Sequence, residues 1–138
     1  MRICPLRTCF IALIAFGLIL GGRHAMKLVE CQFLIPLRRD SEISDGKLVD
    51  TRDWQWLQGE LFEEFGGWGA MSDSFEGAWR SNASGRESRD FSKRYFVALS
   101  KNQVQALREI LKLACVRFGQ QCNYLSVAGM VEFVEEDV

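Results

Sequence analysis

Glu30, Arg94 and Tyr124 are the side chains best placed to do chemistry without an imidazole. The chain has a single histidine, His24. It lies in the N-terminal stretch before Met26, so a hydrolytic triad or a three-histidine metal site has too few parts. A pair of carboxylates can still do acid–base work without histidine, and Glu30 beside Arg94 would make a binding dyad. Alternation along residues 27–37 puts Glu30, Gln32 and Leu34 on one face of a strand. Arg94 and Phe96 share the outward face of a later strand, and Tyr124 and Ser126 that of the last. These seven residues are the candidate ligand- or partner-binding set. The simpler account of Glu30 and Arg94 is a cross-strand ion pair of about 0.2–1 kcal/mol. No catalytic role is assigned, and no cofactor or metal is expected.

Other chemistries fit less well. Gly66-Gly67-Trp68-Gly69 is rich in glycine, but a phosphate cradle needs strand, glycines, then helix. Here the order is helix, glycines, strand, which reads as a helix stop. An EF-hand register over residues 41–52 would put Ile43 and Arg52 at ligand positions, so calcium is rejected. Lys93-Arg94-Tyr95-Phe96-Val97 has a faint likeness to an RNA-stacking strand, but only Phe96 would point outward. Arg80, Arg86, Arg89, Lys93 and Arg94 make a local basic patch, read as a solvated hairpin. With 17 Lys and Arg against 18 Asp and Glu, nucleic acid is not an expected partner. Asn82-Ala83-Ser84 is a glycosylation tripeptide, meaningful only in a eukaryotic secretory route.

The elements that must position the candidate set are a strand at 27–37, a charged loop at 38–50, and a first helix capped by Asp50 or Thr51. Trp54, Leu57, Leu61, Phe62 and Phe65 form its apolar stripe, and Gly66-Gly67 ends it. Residues 68–80 read as a second strand anchored by Phe75 and Trp79, residues 81–90 as a hairpin loop, and residues 91–99 as a third strand. Ser100 and Gln103 form a capping box for a second helix. Its stripe is Val104, Leu107, Leu111, Ala114, Cys115 and Phe118, and Gly119 stops it. Residues 123–134 read as one last strand, with Gly129 as a bulge. The order βαββαβ predicts an α+β ferredoxin-like plait: a four-stranded antiparallel sheet, order 4-1-3-2, with two helices on one face. Acidic Glu60, Glu63 and Glu64 on the first helix are expected to pair with basic Arg108, Lys112 and Arg117 on the second.

Residues 1–25 differ from the rest. Arg2, Arg7 and Arg23 accompany an apolar run from Phe10 to Leu20 that, as a helix, reaches about 16 Å against a hydrocarbon core of roughly 30 Å. A stable membrane span is not expected. A miscalled start, with translation from Met26, and a signal peptide remain open. The domain is residues 26–138, cytoplasmic if it starts at Met26 and exported if the leader is a signal. Cys31 and Cys115 sit on apolar stripes, as small buried hydrophobes do. A Cys115–Cys122 disulfide is the less favoured alternative.

Phe33-Leu34-Ile35-Pro36-Leu37, Phe65-Gly66-Gly67, Gly77-Ala78-Trp79, Gly85, Asp90, Arg94-Tyr95, Phe118-Gly119-Gln120 and the stretch from Tyr124 to Gly129 follow one another in an order and spacing that carry a resemblance. From Met26 onward the chain resembles a family of small uncharacterised bacterial proteins with a ferredoxin-like fold. The resemblance implies the plait and no activity. The expected function is a non-enzymatic binding or assembly domain that uses its open sheet face, as a homodimer and with room for a small-molecule ligand. The alternative is a small histidine-independent enzyme with its site on that face.

Overall fold

The computed structural model describes residues 27–137; the expected leader, with His24, Cys4 and Cys9, lies outside them. The elements are β1 (Val29–Pro36), α1 (Thr51–Phe65), β2 (Gly69–Ala70), β3 (Phe75–Arg80), β4 (Glu87–Leu99), α2 (Val104–Arg117), β5 (Cys122–Val127) and β6 (Met130–Glu135). Among them no helix is long and apolar enough to cross a membrane.

The expected four-stranded plait is corrected. The sheet has six strands, all pairings antiparallel, in the order β2-β4-β1-β5-β6, with β3 also on β4. Two readings of local signals account for the difference. The expected last strand is a hairpin: Ala128 and Gly129 have φ of 49° and 85°, the doubly positive pattern of a tight two-residue turn. Gly129 is therefore a turn residue and not a bulge, and β6 is an added strand. The expected second strand is two pieces. Its first, β2, pairs with Tyr95 and Phe96, and β3 pairs with residues 87–92. β4 also begins four residues earlier than expected, because residues 87–90 continue the ladder with β3 instead of looping.

One face of the sheet carries the core. Cys31, Phe33 and Ile35 of β1, Tyr95, Val97 and Leu99 of β4, Leu125 of β5 and Val134 of β6 are buried against Leu57 and Leu61 of α1 and Leu107, Ile110, Leu111 and Ala114 of α2. Tyr95 stacks on Phe33 with ring centres 5.2 Å apart, and its hydroxyl accepts from Gln58 Nε2 at 3.1 Å. Asp50 caps α1 by accepting from the Arg52 amide at 2.8 Å, and Gly66 ends it at φ 79°. At the second helix the Ser100 amide donates to Gln103 Oε1 at 2.9 Å, and a 3₁₀ turn over Lys101–Gln103 precedes α2.

Two side-chain expectations are also corrected. Phe62 is 60% exposed: α1 buries a narrower stripe than the sequence suggests. Basic residues of α2 pair mostly with the β6 end of the chain. Arg108 meets Glu132 at 2.5 Å and Lys112 meets Asp137 at 3.0 Å, while Arg117 reaches Asp53 at the start of α1 at 3.4 Å. Glu60, Glu63 and Glu64 take no part. Cys31, Cys115 and Cys122 are all free thiols, and burial pushes Cys115 up to about 12.

Candidate functional site: a cleft roofed by the β3–β4 hairpin

The face away from the helices is not flat. β3 is separated from β5 by β4 and β1, which on a flat sheet would put their side chains about 14 Å apart. Yet the rings of Trp79 on β3 and Tyr124 on β5 have centres only 6.1 Å apart. The β3–β4 hairpin extends past the end of β1, where Pro36 pairs with Ser92, and curls over the sheet.

Three features hold it there. Trp79 packs on Tyr124 and, edge-on, on Phe133 of β6 at 6.3 Å. Its Nε1 donates to Asp90 Oδ1 at 3.1 Å, and Ser92 Oγ donates to the same oxygen at 3.2 Å. At the tip, a polar clasp joins the hairpin to the body. Glu42 accepts from the Ser81 and Ser84 hydroxyls, the latter at 2.6 Å, the Ala83 amide donates to Gln121 Oε1 at 2.9 Å, and Asn82 Nδ2 donates to Glu135 at 3.2 Å. The Ser81 hydroxyl, then that of Ser84, holds the Glu42 carboxyl below its ordinary range.

Beneath the roof lies a cleft of about 290 Å³, near the lower end for small-molecule sites. Gln32, Leu34, Arg94, Tyr124 and Ser126 form its floor, and Phe75 and Trp79 its roof and wall. Leu34 pairs with Arg94 on one side and Tyr124 on the other, so three neighbouring strands place these side chains in one row. The Arg94 guanidinium stacks 5.3 Å from the Phe75 ring centre and 5.8 Å from that of Phe96. Among the described residues no carboxylate lies within 4 Å of it. A stacked guanidinium without an ion pair, facing an aromatic cleft, is a ready anchor for a ligand carboxylate.

Five of the seven sequence candidates thus converge on the cleft. The other two do not. Phe96 pairs with Gln32 and supports Arg94 from outside it. Glu30 pairs with Ala98, four residues along β4 from Arg94, and is exposed. The expected Glu30–Arg94 contact does not form, and Glu30 instead accepts from Gln32 Nε2 at 3.4 Å. Of the basic patch, Arg80, Arg86 and Arg89 stay exposed on the hairpin, whereas Lys93 turns to the helix face, 5.4 Å from the ring centres of Trp54 and Tyr95, and its neighbour Arg94 turns to the cleft.

The residues missing from the sequence set are Phe75, Trp79 and Asp90. In the sequence Phe75 and Trp79 read only as apolar anchors of a strand, and Asp90 as part of a loop. Their signal was Phe75-Glu76-Gly77-Ala78-Trp79, where period-two spacing puts two aromatics on one face with a glycine between them.

No family model and no curated protein matches this chain. Solved structures do. A phage SAM lyase in complex with S-methyl-5′-thioadenosine aligns with a TM-score of 0.62 at 13% identity, over 82% of this chain and 93% of that one. The phage SAM lyase in its apo state aligns at 0.56 and 10% identity, over 83% and 98%. At these identities the likeness is one of fold: the chain shares its architecture with those lyases, which is where the ferredoxin-like expectation is replaced.

Proposed function

We propose that this chain is a small enzyme that binds SAM in the open-face cleft and cleaves it to S-methyl-5′-thioadenosine. The observation that carries the reading is the cleft itself, in which the Arg94 guanidinium, without an ion pair among the described residues, faces an aromatic roof, Trp79, across a floor ending in Tyr124. The shared fold with a lyase solved with S-methyl-5′-thioadenosine supports the choice of ligand. The curled hairpin also argues against the expected flat assembly face, because a second sheet could not lie directly on the first.

The chemistry suits these residues. Forming S-methyl-5′-thioadenosine from SAM breaks the bond between the sulfonium sulfur and the amino-acid carbon. The sulfur keeps the electron pair and loses its charge. If the departing fragment's own carboxylate closes on that carbon, no outside nucleophile and no protein base is required, which fits a candidate site without histidine. Charge is annihilated on the way to products, so a half-buried apolar cleft favours the transition state over the solvated ground state. Arg94 would hold the carboxylate end, and Trp79 and Tyr124 the adenine or the sulfonium.

The test is direct. Purified protein incubated with SAM should yield S-methyl-5′-thioadenosine by reverse-phase chromatography, and Trp79→Ala should abolish it. Absence of both turnover and binding of either nucleoside would overturn the reading.

A second reading, self-association, is favoured by one observation. Met130, Val131 and Phe133 of the edge strand β6 are 76%, 52% and 53% exposed, and an apolar edge strand invites pairing with another copy. Sedimentation at tens of micromolar decides it: a monomeric mass removes it, and a larger mass lost on Val131→Lys sustains it.

A further inference from the structure

We propose that Asp90, hydrogen-bonded to the indole of Trp79, sets the charge preference of the cleft and makes it select a cationic ligand over a neutral one of the same shape. This inference rests on the reading of the cleft as a SAM site and names a residue that governs its specificity. Asp90 is a positioning and tuning residue acting through Trp79, since it does not itself line the cleft.

The placement is specific. Asp90 lies opposite Gly77 in the β3–β4 ladder. There its carboxylate reaches diagonally to Trp79 Nε1 at 3.1 Å and is held from the other side by the Ser92 hydroxyl at 3.2 Å. Ser92 is 1% exposed, so this end of the network is closed to water. Among the described residues no Lys or Arg lies within 4 Å of Asp90. A half-buried carboxylate without a cationic partner raises the local negative potential. Burial also pushes its carboxyl above the ordinary aspartate range, opposed by the bonds from Trp79 and Ser92.

Two effects then add. An indole N–H that donates to an anion leaves more electron density on the ring, which strengthens attraction of a cation to its face. The carboxylate's own field acts in the same direction. Both favour a sulfonium and neither favours the thioether that remains after cleavage, so the product would be released more readily than the substrate.

The experiment compares two stable ligands of nearly one shape by isothermal titration calorimetry. They are sinefungin, which carries an ammonium beside the sulfur position, and S-adenosylhomocysteine, which is neutral there. The wild-type chain should prefer sinefungin by roughly tenfold. Asp90→Asn keeps an oxygen to accept from Trp79 Nε1 and removes only the charge; it should bring the two affinities to within about threefold, mainly by weakening sinefungin. Trp79→Phe loses the N–H but leaves the carboxylate in place, so it should narrow the preference partway, and it serves if Asp90→Asn fails to fold by circular dichroism. If Asp90→Asn weakens both ligands equally, or neither, the inference is overturned while the SAM reading survives. If the wild type binds neither ligand, both are overturned.

Discussion

The indole of Trp79 occupies the space that a side chain at position 77 would need. A Cβ built on Gly77 would stand 2.6 Å from the Trp79 ring, closer than carbon atoms approach. Gly77 is thus the seat on which the roof of the cleft rests, as glycines in strands often are where a neighbour comes close.

It follows that Gly77→Val should lift the roof without unmaking the fold. Overpacking of this kind costs about 1–3 kcal/mol, a shift readable in a urea midpoint. The larger effect should fall on Trp79, whose fluorescence should become more accessible to acrylamide. Subtracting the same measurement on Trp79→Phe isolates it from Trp54, Trp56 and Trp68. Unchanged quenching would mean that the roof does not depend on Gly77.

Arg94→Ala separates the two ends of the proposed ligand. SAM carries a carboxylate and S-methyl-5′-thioadenosine does not. A hydrogen bond to a charged group contributes about 1.5–3 kcal/mol, so SAM affinity should fall roughly 10- to 100-fold. Affinity for S-methyl-5′-thioadenosine should stay within about threefold. Equal losses for both would place Arg94 against the adenine instead.

The sequence made the floor of this site legible and hid its roof. Period-two alternation assigns Gln32, Leu34, Arg94, Tyr124 and Ser126 to one face because strand geometry leaves no other choice. It cannot say which face Phe75 and Trp79 take, since an aromatic that covers a cleft and one that fills a core look the same in one dimension. The curl that decides the matter depends on contacts far apart in the chain, such as Ser81 with Glu42 and Gln121, and Trp79 with Tyr124. The strand count is hidden for a related reason. Ala128-Gly129 is a tight turn only because the segment after it can pair back, and Gly129 alone signals a bulge and a turn equally. Helix stripes were readable to the extent that both neighbours press on them: Leu57 and Leu61 are fully buried, while Phe62, on the rim of the same stripe, is not.

The clasp at the hairpin tip should make stability depend on acidity. Glu42 has its folded pKa held below the ordinary 4.5, chiefly by the Ser81 hydroxyl and then by that of Ser84. Its contribution is therefore present above pH 4.5 and is lost as pH falls through the depressed folded value. Asp90 runs the opposite way. Its folded pKa is raised above the ordinary 3.8 by burial, so its contribution is present below that value and is lost as pH rises through the folded one. Glu42→Gln should be less stable than the wild type near neutrality, and the difference should shrink toward pH 3. Urea unfolding at half-unit steps between pH 6 and 3 measures it. A difference that stays constant with pH would show that the clasp holds without the carboxylate charge.

Two apolar residues that look alike in sequence should behave oppositely. Leu111 and Phe62 each lie on a helical stripe, one on α2 and one on α1. Leu111 is fully buried between the helix layer and the sheet, in the same cluster as Phe33, Tyr95 and Leu125. Leu111→Ala should cost about 2–5 kcal/mol through lost burial and the cavity left behind, a large part of the roughly 5–15 kcal/mol that holds a domain folded. Phe62 faces solvent, and Phe62→Ala should change stability by no more than about 0.5 kcal/mol. Chemical denaturation of the two variants side by side checks both. Were Phe62→Ala to cost as much as Leu111→Ala in a monomeric sample, α1 would have to be rotated on the sheet, and the core that supports the cleft floor from behind would be packed differently from the arrangement described.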